Sequence, residues 1–314
     1  MDGPILIASD GSPGSEGALG LGIALARAKQ RRLEILTVLE PLPLYGLGEL
    51  PAIPQGYSLL QSLAAEDLRS AVTRQIAKID PEGSWPVVAE IGAAAAAIVQ
   101  HARKIGAELI IAGSGPHFAT DWWLRSETAL NVVRLAHLPV LLVPPLVREP
   151  PQSALAAVDF SEFSVRAARA VIPLLKEGGR LFLAHVMWAP METEALPSLA
   201  AYWTTYRTGA IARLEALAAE LRTSSGIQVE TSVMTGDPAH EILGFASRLN
   251  VDLIAAGSHG NGYLSRVLMG SVSTRLIRGT RTAILLVPPA TVSAQLEKYA
   301  GKHEPWEPVG QLAP

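Results

Sequence analysis

The stretch AELIIAGSG, Ala107 to Gly115, returns as VDLIAAGSH, Val251 to His259. PVLLVPP, Pro139 to Pro145, returns as AILLVPP, Ala283 to Pro289. Both pairs lie 144 residues apart, so nothing has been inserted or lost between them. The beginnings match as well: ILIASDGSPGS, ending at Ser15, parallels LAAVDFSEFS, ending at Ser164, at an offset of 149. The change of offset puts a net shortening of five residues in the second copy, between its first and fourth strands. Self-similarity at a fixed period marks a tandem repeat. Copy one is read as residues 1–147 and copy two as 151–290, with 291–314 a C-terminal tail. Between the copies runs PPLVREPPQ, Pro144 to Gln152. Its prolines cannot continue a helix, so it reads as a short stiff spacer.

Within copy one, short apolar runs alternate with longer helical patterns. Strands are expected at Ile5–Ser9, Leu33–Leu39, Pro86–Ile91, Leu109–Gly113 and Val140–Val143. Helices are expected from Ser15 to about Gln30, over Ser58–Ile79, Ala94–Ile105 and Glu127–Ala136. A Pro/Gly-rich excursion fills Pro41 to Gly56. Copy two repeats the order, with strands at Leu155–Val158, Leu181–Val186, Val229–Met234, Leu253–Ala256 and Ile284–Val287. Its helices are expected to reach Lys176 and to cover Ala200–Ser224, Ala239–Leu249 and Val272–Gly279. Alternation of this kind means right-handed βαβ crossovers and a parallel sheet covered on both faces. The fold class is α/β: two tandem Rossmann-like domains, each a five-stranded parallel sheet. Val140–Val143 and Ile284–Val287 close their copies and would be open edges, so they are expected to pair with each other within one chain. The tail is expected to hold a short helix, Ser293–Ala300, before an irregular end docked by Trp306.

Composition narrows the function classes. Of 314 residues, 49% are apolar and 18% charged, enough for a full core in each copy. A net charge of -3 supplies no electrostatic drive toward nucleic acid or anionic lipid. There are no cysteines, which excludes disulfides, thiolate metal sites and a Cys nucleophile. Uncharged apolar stretches such as Gly17–Ala26 are too short to span a bilayer. The N-terminus has no basic region ahead of its first apolar run, unlike a signal peptide. The expected location is cytoplasmic.

In doubly wound sheets, ligands bind beyond the carboxyl ends of the strands, at the switch point. There copy two carries GSHGNGYLSRVLMGSVS, with Gly257, Gly260 and Gly270-Ser271 spaced as G-x2-G-x9-G-S. Gly257 permits a sharp turn and close approach of a ligand. Gly260 can expose amide N–H groups as an anion nest. Gly270 and Ser271 open a helix, whose N-terminus attracts phosphate. The hydroxyls of Ser271 and Ser273 add donors, and His259 can touch ribose or phosphate. The plainer reading is a glycine-rich loop with a Ser cap. Asp10 and Asp159 end their first strands as D-x-S-x-x-S, where Ser12, Ser15, Ser161 and Ser164 suit helix capping. An Asp at the switch point must face ribose or a metal ion, because bare phosphate would repel it. His185, at a strand end, is expected near the core. A P-loop, a G-x-G-x-x-G after the first strand, a G-x-S-x-G elbow and a zincin helix are all missing.

D-x-S after strand one, GDPAHEIL (Gly236 to Leu243), VDLIAAGSHGNG, the G-x2-G-x9-G-S run and the closing AILLVP together resemble the universal stress protein family. The likeness covers nearly the whole chain, as two tandem copies. It implies an adenine-nucleotide-binding α/β fold with strand order 3-2-1-4-5, paired through the fifth strand. Carried onto copy two, it implies Val186 for adenine and Ala157, Val158, Asp159 and Ser161 near base and ribose. Gly257, His259, Gly260, Gly270, Ser271, Val272 and Ser273 would cradle ribose and phosphates, with Phe160 and Ala256 lining the cleft as bystanders. ATP, or another adenine nucleotide, would bring Mg²⁺ or Mn²⁺ with it, and Asp159 would reach the metal only through water.

Copy one departs from this pattern. At the same offset Pro116 stands for Gly260, Ser126 for Gly270 and Glu127 for Ser271. Pro116 lacks an N–H, and Glu127 places a carboxylate where a helix start would otherwise favour phosphate. Trp122 and Trp123 in the same loop are expected to fill the vacated space, the alternative being to cover an interface. The reading is a tandem stress-response or regulatory module that holds one ATP in its second half. Further pairing of chains into a homo-oligomer is compatible with it. The alternatives are slow ATP hydrolysis or nucleotidyl transfer on the same fold, and a structural pairing module without nucleotide.

Overall fold

Short runs of branched apolar residues become the strands. In a computed structural model of the chain, residues 3–41, 57–114, 127–188, 197–258 and 270–288 are described. The first half contributes β1 (Ile5–Ala8), α1 (Glu16–Ala28), β2 (Leu33–Leu39), α2 (Tyr57–Ile79), β3 (Val87–Ile91), α3 (Ala94–Ile105), β4 (Leu109–Gly113), α4 (Glu127–Leu135) and β5 (Val140–Val143). The second half contributes β6 (Ser153–Ala157), α5 (Glu162–Val171), β7 (Arg180–Met187), α6 (Pro197–Ser225), β8 (Gln228–Thr235), α7 (Pro238–Leu249), β9 (Leu253–Gly257), α8 (Ser271–Gly279) and β10 (Ala283–Val287). Two expected bounds are corrected. Pro173 ends the helix before Lys176: α5 stops at Val171 and a 3-10 turn, Ile172–Leu174, follows. The first strand of the second half begins at Ser153 and ends at Ala157, leaving Val158 to begin the loop. The expected features at Pro41–Gly56, Trp122, Trp123, Ser293–Ala300 and Trp306 lie almost wholly outside the described residues.

The strands form one ten-stranded sheet in the order β3-β2-β1-β4-β5-β10-β9-β6-β7-β8. Each half therefore runs 3-2-1-4-5, with all its strands parallel. The halves join antiparallel, Leu141 opposite Leu285 and Leu142 opposite Ile284. Strand pairing also locates the shortening. Ile5 pairs with Leu33 where Ala154 pairs with Leu181, so one residue is lost between first and second strands. Ile35 pairs with Val87 where Leu183 pairs with Thr231, so four are lost between second and third.

Alternation along the strands divides the apolar residues between two faces. Ile5, Ile7, Leu141 and Leu285 pack under α1, α2, α5 and α6. Leu6, Leu142, Ile284 and Leu286 pack under α3, α4, α7 and α8. Each core runs through both halves without a break, so β5 and β10 are interior strands. The spacer packs tightly against α1. A Cβ at Gly17 would lie 1.9 Å from the Pro144 carbonyl oxygen, so only glycine fits there. At the corresponding place in the second half, Arg166 donates to the Pro288 carbonyl at 3.3 Å.

One polar cluster interrupts the second core. His101 on α3 is 4% exposed, with Nδ1 2.7 Å from Glu90 Oε1 and Nε2 2.5 Å from Glu34 Oε1. By the strand pairing the same three positions in the second half are Phe245, Met234 and Phe182. A buried cluster of polar side chains is often no more stable than an apolar replacement of similar volume, whereas removing one partner strands the others. His101→Phe alone should therefore destabilise the chain by about 2 kcal/mol, discounted because both carboxylates reach water. The triple change Glu34→Phe, Glu90→Met, His101→Phe should recover to within about 1 kcal/mol of wild type. Urea denaturation of both variants checks this, and a triple variant less stable than the single one would contradict it.

Candidate functional site

Strand β6 leads into a turn built by Asp159. Its Oδ1 accepts from the Ser161 backbone N–H at 3.0 Å and from the Ser161 hydroxyl at 2.5 Å. That local bond explains the D-x-S spacing without a ligand. Ser161 then caps α5, accepting from the Ser164 N–H. The capping expected in the first half is not made. Neither Ser12 nor Ser15 caps through its side chain; Ser15 instead meets Ser9 Oγ at 2.9 Å and donates to the Ser12 carbonyl. The serine pattern is the same, but the buried partner Ser9, which is Val158 in the second half, draws Ser15 inward.

Between the two sits Phe160, held at φ +63°. A bulky residue there carries backbone strain of order 1 kcal/mol or more. Its ring packs on the α5–α6 face, 4.6 Å from the His185 ring and 4.1 Å from the Arg213 guanidinium carbon. Phe160 is thus not among the described cleft-lining residues, contrary to expectation. His185 is 5% exposed, its Nδ1 2.7 Å from the Val158 carbonyl oxygen and its Nε2 3.3 Å from the Tyr206 hydroxyl. It ties the loop after β6 to β7.

At the carboxyl ends of β6, β7 and β9 lies a cleft of about 380 Å³. Ala157, Val158, Asp159, Val186, Gly257, Gly270, Ser271, Val272 and Ser273 line it, and Ala256 does too. Ser161 lies beside it as the helix cap. His259 and Gly260 lie outside the described residues. Ser164, Ala184, His185, Pro238 and Ile242 also line the cleft, a place the sequence reading did not give them. The signal for the last two was present in GDPAHEIL, which places both on one face at the start of α7.

The start of α8 closes the cleft. Its cap residue Gly270 makes no side-chain cap, and no acid stands in its first turn. The first N–H groups of any helix have no acceptor within it. Gly270 N–H is already used on the Ser258 carbonyl at 2.9 Å. The Ser273 hydroxyl, expected to donate to phosphate, donates instead to the Gly257 carbonyl at 2.7 Å and is buried. These two bonds pin the ends of the glycine-rich run. The donors facing the cleft are then the Ser271 hydroxyl and the backbone of the first turn. Asp237 caps α7, accepting from His240 N–H at 2.9 Å, and pairs with Arg275 of α8 at 2.7 Å. The Arg275 guanidinium, then the His240 N–H, hold the Asp237 carboxyl below its usual range.

The first half has its own cleft, about 440 Å³, at the ends of β1, β2 and β4. Asp10 and Glu40 line it, and no Lys or Arg is among the described lining residues of either cleft. Glu40 Oε1 accepts from Ala94 N–H at 2.8 Å, capping α3, to which Ala93 offers no side-chain cap. Trp188 occupies the Glu40 position of the second half and is exposed. A Cβ at Gly113 would lie 2.5 Å from the Gly14 carbonyl oxygen. Glycine at the end of β4 is therefore demanded by packing, whatever the ligand. Pro116 and Ser126 lie outside the described residues.

The universal stress protein family model matches residues 1–144 and 152–288. The chain belongs to the universal stress protein family. Universal stress protein YxiE of Bacillus subtilis is 32% identical over 142 residues, which is 42% of this chain and 96% of that protein. A universal stress protein of Mycobacterium tuberculosis is 26% identical over 184 residues, 57% of this chain and 61% of its own length. A solved universal stress protein from Archaeoglobus fulgidus shares the fold, with a TM-score of 0.66 at 21% identity. It covers 92% of this chain and 99% of its own. Among the described residues of this universal stress protein, no helix is long and apolar enough to cross a membrane. Nor does any group of three or more His, Cys, Asp or Glu suit a metal ion.

Burial holds the His185 imidazole below its ordinary value, outweighing the opposite pull of the Val158 carbonyl and Asp159. The folded value thus lies below the unfolded one, about 6.5. The stability this brings is complete above the unfolded value and is lost as pH falls through the folded one. His137, also lowered by burial, acts in the same window. Melting temperature measured from pH 8 to pH 5 should fall less steeply for His185→Gln than for wild type. Equal slopes would show that His185 is not the titrating group.

Proposed function

We propose that this universal stress protein binds one adenine nucleotide, ATP by preference, in the cleft of its second half, and acts as a cytoplasmic stress-response or regulatory module. The observation that carries this reading is the start of α8: a helix N-terminus with no side-chain cap and no acid in its first turn, opening onto a cleft of about 380 Å³. Pockets of about 300–1,000 Å³ hold small ligands. Phosphates suit the α8 start because its N–H groups and dipole favour anions. Val186 and Ala157 supply apolar wall for the base, and Asp159 lies at the side where ribose hydroxyls can donate to it. Gly257, His259, Gly260 and Ser271 to Ser273 would surround the phosphates. Mg²⁺ or Mn²⁺ would enter with the nucleotide, which suits ions that keep most of their waters.

The two halves differ where it matters. At the corresponding helix start the first half begins with Glu127. Two like charges about 4 Å apart cost about 4 kcal/mol near a protein surface. At about 1.4 kcal/mol per decade that weakens a phosphate ligand nearly a thousandfold. Gly270→Trp should abolish ATP binding by the whole chain, and Ser126→Trp should leave it unchanged. Calorimetric titration in the presence of Mg²⁺ decides it. Two equivalent sites in the wild type, or full binding by Gly270→Trp, would assign the nucleotide to the wrong half.

A further inference from the structure

The cleft of the first half is slightly larger than its counterpart, and α4 at its mouth begins on Glu127 where α8 begins on Ser271. Strand pairing aligns the walls: Ala8 with Ala157, Asp10 with Asp159 and Val38 with Val186. The helix side aligns as well, Ile98 with Ile242. The apolar floor and the Asp at the end of the first strand are thus present in both. Three positions lining the first cleft gain polar groups: Val158 becomes Ser9, Val272 becomes Thr128 and Trp188 becomes Glu40. One loses its hydroxyl, Ser273 becoming Ala129. The α3 start is satisfied by Glu40 as the α7 start is by Asp237, so the difference between the halves lies at α4, which begins on Glu127. The Ser12 hydroxyl, which also lines the cleft, is buried without a hydrogen-bond partner among the described residues.

A ligand entering this cleft meets an apolar floor, hydroxyls and carboxylates, with no described Lys or Arg. A phosphate would be repelled, while O–H and N–H donors would find acceptors. We propose that the first half binds a phosphate-free nucleoside: a flat base against Val38 and Ile98, with sugar hydroxyls donating to Asp10 and the serine oxygens. The choice of a nucleoside rests on reading the second cleft as a nucleotide site with the same floor. The rejection of phosphate rests on the first cleft alone. The two halves would then tell a nucleoside from its phosphorylated form, and one chain would respond to both.

Adenosine, AMP and ATP are titrated into Gly270→Trp protein, in which the second cleft is filled. One adenosine should bind per chain, with AMP and ATP at least tenfold weaker. Adding Ala94→Trp, at the mouth of the first cleft, should abolish adenosine binding while circular dichroism and melting temperature stay unchanged. Adding instead Glu40→Gln with Glu127→Ser should raise AMP affinity at least tenfold; Gln keeps an acceptor for Ala94 N–H. Failure of Gly270→Trp to bind adenosine, or ATP binding as tight as adenosine, would overturn the proposal. Absence of ATP binding in the wild type, with adenosine still bound by Gly270→Trp, would overturn the second-cleft reading and leave this one standing.

Discussion

Leu141 and Leu285 face each other where β5 and β10 run antiparallel, and the rest of the molecule is arranged around that contact. Each half alone would present an apolar four- or five-residue strand as an open edge, a template for unwanted pairing. Joined, the two edges satisfy each other's backbone groups, and the apolar residues of each sheet face merge into one core that spans both halves. The spacer obeys the same constraint. It must return the chain from β5 to β6 across the sheet, and it does so pressed on α1 closely enough to exclude any side chain at Gly17. Because each half runs 3-2-1-4-5, its order reverses beside its first strand, and the two clefts lie at these equivalent switch points, one per half.

That arrangement frees the halves to diverge. A single-copy protein paired through the same strand would carry two identical clefts. Here the framework positions are kept and the rim is altered. The D-x-S turn appears twice, as Asp10 with Ser12 and as Asp159 with Ser161. The starts of α3 and α7 are both capped by an acid, Glu40 and Asp237. The starts of α4 and α8 differ, Glu127 in one half and Gly270 with Ser271 in the other. The Glu34–His101–Glu90 cluster, set where the second half has Phe182, Phe245 and Met234, shows the same drift within the core.

Much of the fold was legible because it is written in short-range terms. Apolar runs of four to eight residues between glycines and helical patterns give the strands, and the offset of 144 residues shared by the two later matched pairs gives the repeat. The pairing of the two closing strands followed from their being edges; its antiparallel sense is a finding of the structure. Less could be read where the outcome depends on a tertiary neighbour. Ser12 and Ser15 have the spacing of caps, but Ser9, distant only in role, takes Ser15 away from capping. Ser273 sits at a helix start and looks like a ligand donor, yet the Gly257 carbonyl, sixteen residues earlier, uses its proton. The family resemblance implies Phe160 as a bystander lining the cleft. Its left-handed backbone turns it to the opposite face, onto Arg213 and His185. His101 between two carboxylates was not anticipated; its only trace in the sequence is polar residues at apolar positions of two strands and a helix.

The claim that most needs direct test is that two similar clefts in one chain do not share one ligand. Native mass spectrometry of the intact chain with saturating ATP and Mg²⁺ counts bound nucleotides without assuming a binding model. A single ATP-sized mass increment per chain, lost in Gly270→Trp, is the result expected of a phosphate site in the second half alone. Two increments in the wild type, or one that survives Gly270→Trp, would contradict it.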